Sequence, residues 1–87
     1  MDEAIARVWT GDPELLNLAE ALDVMADVTV DGDHDERRKA SAVVAIGGMI
    51  QHRLRKAGVE CADAAEAIVM ARRFSEEAAT FGARAFG

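Results

Sequence analysis

Residues 35–58 read DERRKASAVVAIGGMIQHRLRKAG, and the fold turns on whether this stretch is helix or strand. Val43, Ile46, Ile50, Leu54 and Ala57 recur at three- and four-residue spacing, which places them on one face of a helix. Such a helix starts near Asp35 or Glu36, runs to Ala57 and stops at Gly58. Val43-Val44-Ala45-Ile46 keeps a buried strand as the competing reading, because β-branched residues suit extended backbone. Ala42–Ile50 is apolar almost all round, so burial on more than one side is expected. Glycine inside a helix costs about 1 kcal/mol relative to alanine. Close approach of another helix on the side of Ser41, Ala45 and Gly48 would justify Gly47-Gly48; a kink is the other reason.

Upstream, Asp12-Pro13-Glu14 is a helix start: Asp12 caps free N–H groups, Pro13 fits the first helical position, and Glu14 complements the dipole. The helix it opens is expected from Pro13 to about Thr29, with Leu15, Leu18, Leu22, Met25 and Thr29 on one face. Asp27–Val30 (DVTV) reads either as its last turn or as a short strand. A shorter first helix, Asp2–Trp9, ends at Thr10-Gly11, where glycine can take a positive φ. Downstream, Val59-Glu60-Cys61 is a connector. A last helix runs from Ala62 or Asp63 to Phe86, with Ala67, Met70, Ala71, Phe74, Ala78, Phe81 and Ala85 as its apolar stripe. The expected fold is all-α: a small three- or four-helix domain, residues 1–87, built round a central antiparallel hairpin of the second and third helices.

With 87 residues, the chain hides a small fraction of its surface, yet 51% of its residues are hydrophobic. A helical bundle that self-associates, as a homodimer through Ala45, Gly48 and Met49, would supply the missing burial. The nine-residue run 42–50 is far below the roughly 20 residues of a membrane-spanning helix. The start, MDEAIARVW, lacks the basic and apolar regions of a signal peptide. One cysteine, Cys61, excludes an internal disulfide framework. A cytoplasmic protein is therefore expected. Eight arginines against two lysines, with abundant alanine, suit a GC-rich bacterial or phage genome.

Charge is divided unevenly. Residues 1–36 hold eleven acids and one base, a net of −10; residues 37–87 net +4. Glu20, Asp23, Asp27 and Asp31 step by three and four residues opposite the Leu15/Leu22 stripe. On a continuous helix they form an acidic ladder of about 16 Å. A solvated face is the bland reading, but like charges at this spacing are mildly destabilising and no base interrupts them. The ladder is the candidate docking surface for a partner protein with a basic surface. Trp9 is either a core lid or, if exposed, a candidate contact.

Catalytic and metal signatures fail on inspection. Asp31-x-Asp33-x-Asp35 opens like a calcium loop, but positions six and twelve hold Glu36 and Ala42 instead of glycine and glutamate. His34, His52 and Cys61 match no zinc spacing. Neither a nucleophile–base set nor a phosphate-binding glycine loop is present. Arg37-Arg38-Lys39 and Arg53/Arg55/Lys56 sit at opposite ends of one helix with no aromatic residue between them. The latter group is expected to complement that helix's C-terminus, and the former to meet the acidic turn. The overall charge of −6 opposes approach to nucleic acid. The expectation is a non-catalytic interaction module or structural subunit, with no cofactor, metal, membrane or direct nucleic-acid contact. The alternative is an acidic inhibitor that occupies a nucleic-acid-binding groove, of the anti-CRISPR or DNA-mimic type.

Overall fold

Residues 35–56 are helical throughout, and the strand alternative at 43–46 is excluded. The structure, a computed structural model, describes the backbone of residues 2–86 and the side chains of residues 2–78. It contains α1 (Glu3–Thr10), α2 (Pro13–Asp27), α3 (Asp33–Lys56) and α4 (Ala64–Phe86), with 81% of the chain helical. This is the small all-α bundle expected from the periodicity. The α2–α3 hairpin is present, and α3 also packs extensively on α4, so α3 is the element shared by both neighbours. α1 lies on α2.

Local chemistry explains most of the boundaries. Asp2 and Asp12 cap α1 and α2: Asp2 accepts from the Ala4 N–H, and Asp12 accepts from those of Glu14 and Leu15. Gly11 ends α1, but at φ −85° rather than the positive φ expected. Its reason is space: a Cβ there would lie 3.0 Å from the Arg7 carbonyl oxygen. Gly58 does take the left-handed conformation expected after α3, at φ +85°. α3 starts two residues earlier than Asp35, because Gly32 at φ +92° turns the chain directly into it. Asp33, Asp35 and Glu36 then sit in the first turn, where acids suit the dipole. α4 starts at Ala64, with Asp63 accepting from the Glu66 N–H and Glu66 accepting from the Ala62 N–H.

The core is one apolar cluster formed by Trp9, Leu15, Ala19, Leu22, Ile50, Leu54, Cys61, Ala67 and Ala71. Of the expected stripes, Thr29 and Ala57 instead lie exposed beyond their helices and Ala78 is exposed on α4, while Phe81 and Ala85 lie outside the described side chains. Trp9 has no exposed surface and stacks on Phe74, ring centroids 5.2 Å apart at 13°. The lid reading holds, and Trp9 is removed as a candidate contact, because a fully buried side chain has no surface to offer. Its indole N–H is buried without an acceptor, a cost the ring's burial outweighs. The Cα trace spans 40 × 34 × 18 Å, so the molecule is thin: its shortest dimension is about twice the 8–10 Å between packed helix axes.

Candidate functional site

The hairpin is clasped at both ends by bases of α3. At one end the Arg53 guanidinium makes two hydrogen bonds to Asp12, Nε to Oδ2 at 3.1 Å and Nη2 to Oδ1 at 3.0 Å. Asp12 is also the cap of α2, so one carboxylate ends a helix and holds its neighbour. The Arg53 hydrogen bond holds the Asp12 carboxyl below its usual range despite the opposing effect of partial burial, and Asp12 in turn raises the Arg53 pKa. At the other end Lys39 Nζ donates to the Ala26 carbonyl at 3.0 Å and the Val28 carbonyl at 2.7 Å. The last turn of α2 contains no base of its own, and Lys39 supplies that charge from outside. These contacts correct two expectations. Arg53 holds Asp12 rather than only complementing the end of α3, and Lys39 meets carbonyls rather than the acidic turn. They also account for α2 ending at Asp27, two residues short of Thr29. Val28 turns to extended backbone with its carbonyl on Lys39, and residues 28–30 are neither helix nor strand.

Between the clasps runs the seam of α2 and α3. Gly47 faces α4: a Cβ there would come within 2.8 Å of Ile68 Cγ1 and 2.9 Å of the Ala64 carbonyl oxygen. The close helix approach anticipated from Gly47-Gly48 is therefore real, but it uses Gly47. A Cβ on Gly48 would meet nothing within 4 Å. Ala45 and Met49, two residues either side of Gly47, are turned about 200° from it at 100° per residue. They point away from α4. Ala45 is exposed, Met49 is 56% exposed and Val44 is 57% exposed. The segment 42–50 is thus buried on one side only, contrary to its all-round apolar character.

Ala45 and Met49 line a groove with Leu18 of α2, flanked by Glu14 and His52. A second groove, lined by Met25, Val28 and Ala42 and flanked by Asp35 and Arg38, lies nearer the turn. The spacing of 38, 42, 45, 49 and 52 on α3, and of 18, 25 and 28 along α2, puts both grooves on one side of the hairpin. Ala45, Gly48 and Met49, the residues expected to serve self-association, all line the first groove.

The acidic ladder is less regular than its spacing. Glu20 and Asp27 are exposed on α2. Asp23 lies 3.7 Å from Arg72 of α4, so a base does interrupt the row. Asp31 is four residues past the end of α2 and leaves the helical repeat. Glu20 and Asp27 remain on one face, about 10 Å apart along the axis.

His34 and His52 are exposed, and Cys61 is buried with its Sγ 3.5 Å from the Asp63 carbonyl. Burial pushes the Cys61 thiol up, and the nearby Glu66 and Asp63 carboxylates add to this. Among the described residues no three His, Cys, Asp or Glu side chains are placed to hold a metal ion. None of the described helices is long and apolar enough to cross a membrane. What the sequence reading missed is the pair of clasps. The baseless last turn of α2 was the one available signal for Lys39, and nothing local links Asp12 with Arg53 across 41 residues. No protein-family model matches the chain, and neither a curated protein nor a solved structure shows significant similarity to it.

Proposed function

We propose that these 87 residues form one small, non-catalytic interaction domain, a cytoplasmic bacterial or phage-encoded module or subunit that docks through the α2–α3 hairpin. The observation that carries this reading is the open apolar side of α3. Ala45 and Met49 stay in solvent although the opposite side of the same helix completes a packed core. A groove between two clasped helices is the shape into which a partner helix lays its apolar face. The clasps at Asp12–Arg53 and Lys39 keep the groove preformed, which lowers the ordering cost of binding. A photo-crosslinking residue at Met49, compared with one at the exposed Arg73 of α4, tests the reading in host extract. The expected result is an adduct of discrete mass from position 49 and none from position 73. Equal adducts from both positions, or none from 49, would remove it.

A second reading, the acidic inhibitor of a nucleic-acid-binding protein, is favoured by the −10 charge of residues 1–36 and by the exposure of Glu20 and Asp27. A face of one sign speeds association with a basic partner more than it adds affinity. It has two carboxylates in row rather than four, so the open seam is the better supported surface. Reversing Glu20 and Asp27 to Lys is expected to slow association and flatten its salt dependence. A folded variant that associates unchanged at two salt concentrations ends this second reading.

A further inference from the structure

We infer that the occupant of the open seam is an acidic amphipathic helix, one with carboxylates near both ends of an apolar stripe. The inference rests on the reading of the seam as a docking face and names the chemistry of what docks there.

Helical rotation sorts the charges of the hairpin. Glu20 and Asp27 follow Leu18 and Met25 by two residues, so they are turned about 200° away from the seam. Among the acids of α2 only Glu14 lines it, beside Arg53, whose charge Glu14 and Asp12 help to hold. The bases of α3 turn the other way. Arg38 lines the groove near the turn, where Asp35 is the one acid and serves the first turn of α3. Lys56 lines a further hollow that shares Gly48 and His52 with the groove around Met49. Arg38 and Lys56 enter no ion pair among the described residues. They are separated by five full helical turns, so they stand in line, about 27 Å apart. Ala42, Ala45 and Met49 fall within about 40° of that line. A chain of net charge −6 thus presents a seam that is basic at both ends and apolar between.

This pattern selects among occupants. A purely apolar helix would bury the Arg38 and Lys56 charges without partners, which is costly. A nucleic-acid strand would lay phosphates over the apolar span from Arg38 to His52, about 21 Å with nothing to pair them. A membrane surface is flat and does not follow a concave seam. A second copy offers the outward acids of α2, but Glu20 and Asp27 are about 10 Å apart and cannot reach both bases. An acidic amphipathic helix satisfies all of it. Its apolar stripe lies on Leu18, Ala45 and Met49, and carboxylates about five turns apart meet Arg38 and Lys56. Gly48 leaves room for close approach, since nothing lies within 4 Å of its Cβ position.

A display library of helices about 25 residues long, enough to reach both bases, tests the proposal. Its apolar stripe is fixed and its flanking positions encode Glu or Lys. The full chain should capture clones with Glu near both ends. R38E/K56E should select Lys there from the same library, and the milder R38Q/K56Q should lose the preference. A captured Glu clone should bind R38E/K56E roughly tenfold more weakly and M49E not at all, with circular dichroism showing each variant folded. Failure to capture any clone, or a wild-type selection that favours Lys or neither charge, would overturn the inference. If M49E still releases clones that show no charge preference, the acidic chemistry is excluded and the docking reading stands; clones that survive M49E remove both. Three further results would place a different occupant in the seam and overturn the inference. One is sedimentation of the wild type at twice its 9.3 kDa mass, abolished by M49E. The others are binding to phosphatidylserine vesicles or to a DNA duplex that R38E/K56E abolishes.

Discussion

Within residues 45–50 the two sides of α3 are both apolar, and they have opposite fates. On one side Gly47, Ile50 and Leu54 are fully enclosed, and α4 comes so close that Gly47 has no room for a methyl group. On the other, Ala45 and Met49 face solvent and Gly48 is half-buried. Neighbouring glycines at 47 and 48 thus do different work. The first permits a helix contact inside the molecule; the second, in a single copy, only weakens the helix. Apolar composition does not decide burial; the number of helices available to cover a face does.

The largest break in this contrast is expected from Ile50→Ala on the closed side. Emptying a fully buried site should cost about 2–5 kcal/mol. For a domain of this size each kcal/mol lowers Tm by roughly 4–8 °C, so thermal unfolding reads it directly. A loss below about 1 kcal/mol would show that the closed side is loosely packed. Next comes Gly47→Ala. Its Cβ would meet a backbone oxygen as well as Ile68, and a backbone atom cannot rotate away, so a loss of about 1–3 kcal/mol is expected. Gly48→Ala should do the opposite and raise stability by up to about 1 kcal/mol through helix propensity. Measuring both substitutions in the M49E background keeps self-association out of the comparison. Equal effects of the two alanines would erase the difference between the sides.

The smallest expected effect tests the clasp that aligns them. Asp12 has a depressed carboxyl pKa when folded, so its contribution is present above the ordinary carboxylate range and is lost as pH falls through the lower folded value. Asp12→Asn keeps a good capping side chain but gives up the charge on Arg53. The stability gap between wild type and D12N should be constant above about pH 5 and should narrow below about pH 4. A gap independent of pH in denaturant titrations would mean the Arg53 contact adds nothing beyond the cap. The pair is partly exposed, so a modest gap is expected.

Some of the molecule could be read from local sequence because its causes are local. Asp12-Pro13-Glu14 starts α2 through groups at most three residues apart, and Gly58 ends α3 through its own backbone freedom. The end of α2 could not be read in this way, since its terminal carbonyls are satisfied by Lys39, eleven and thirteen residues away. The candidate seam was half legible. Ala45, Gly48 and Met49 were recognisable as one face, but the same periodicity suits a helix covered on both sides. The acidic row was legible as a spacing, and it lost Asp31 to the early end of α2 and Asp23 to Arg72.

The sequence by itself determined that the chain is helical, where three of its helices begin to within two residues, that Trp9 can serve the core, and how unevenly charge is divided. Each follows from propensity, capping and periodicity, which act over a few residues. Only the tertiary structure decided which glycine meets α4, which bases are spent clasping α2, and which side of α3 stays in solvent. Those outcomes depend on which helix lies on which face, and spacing along one helix carries no record of its neighbours.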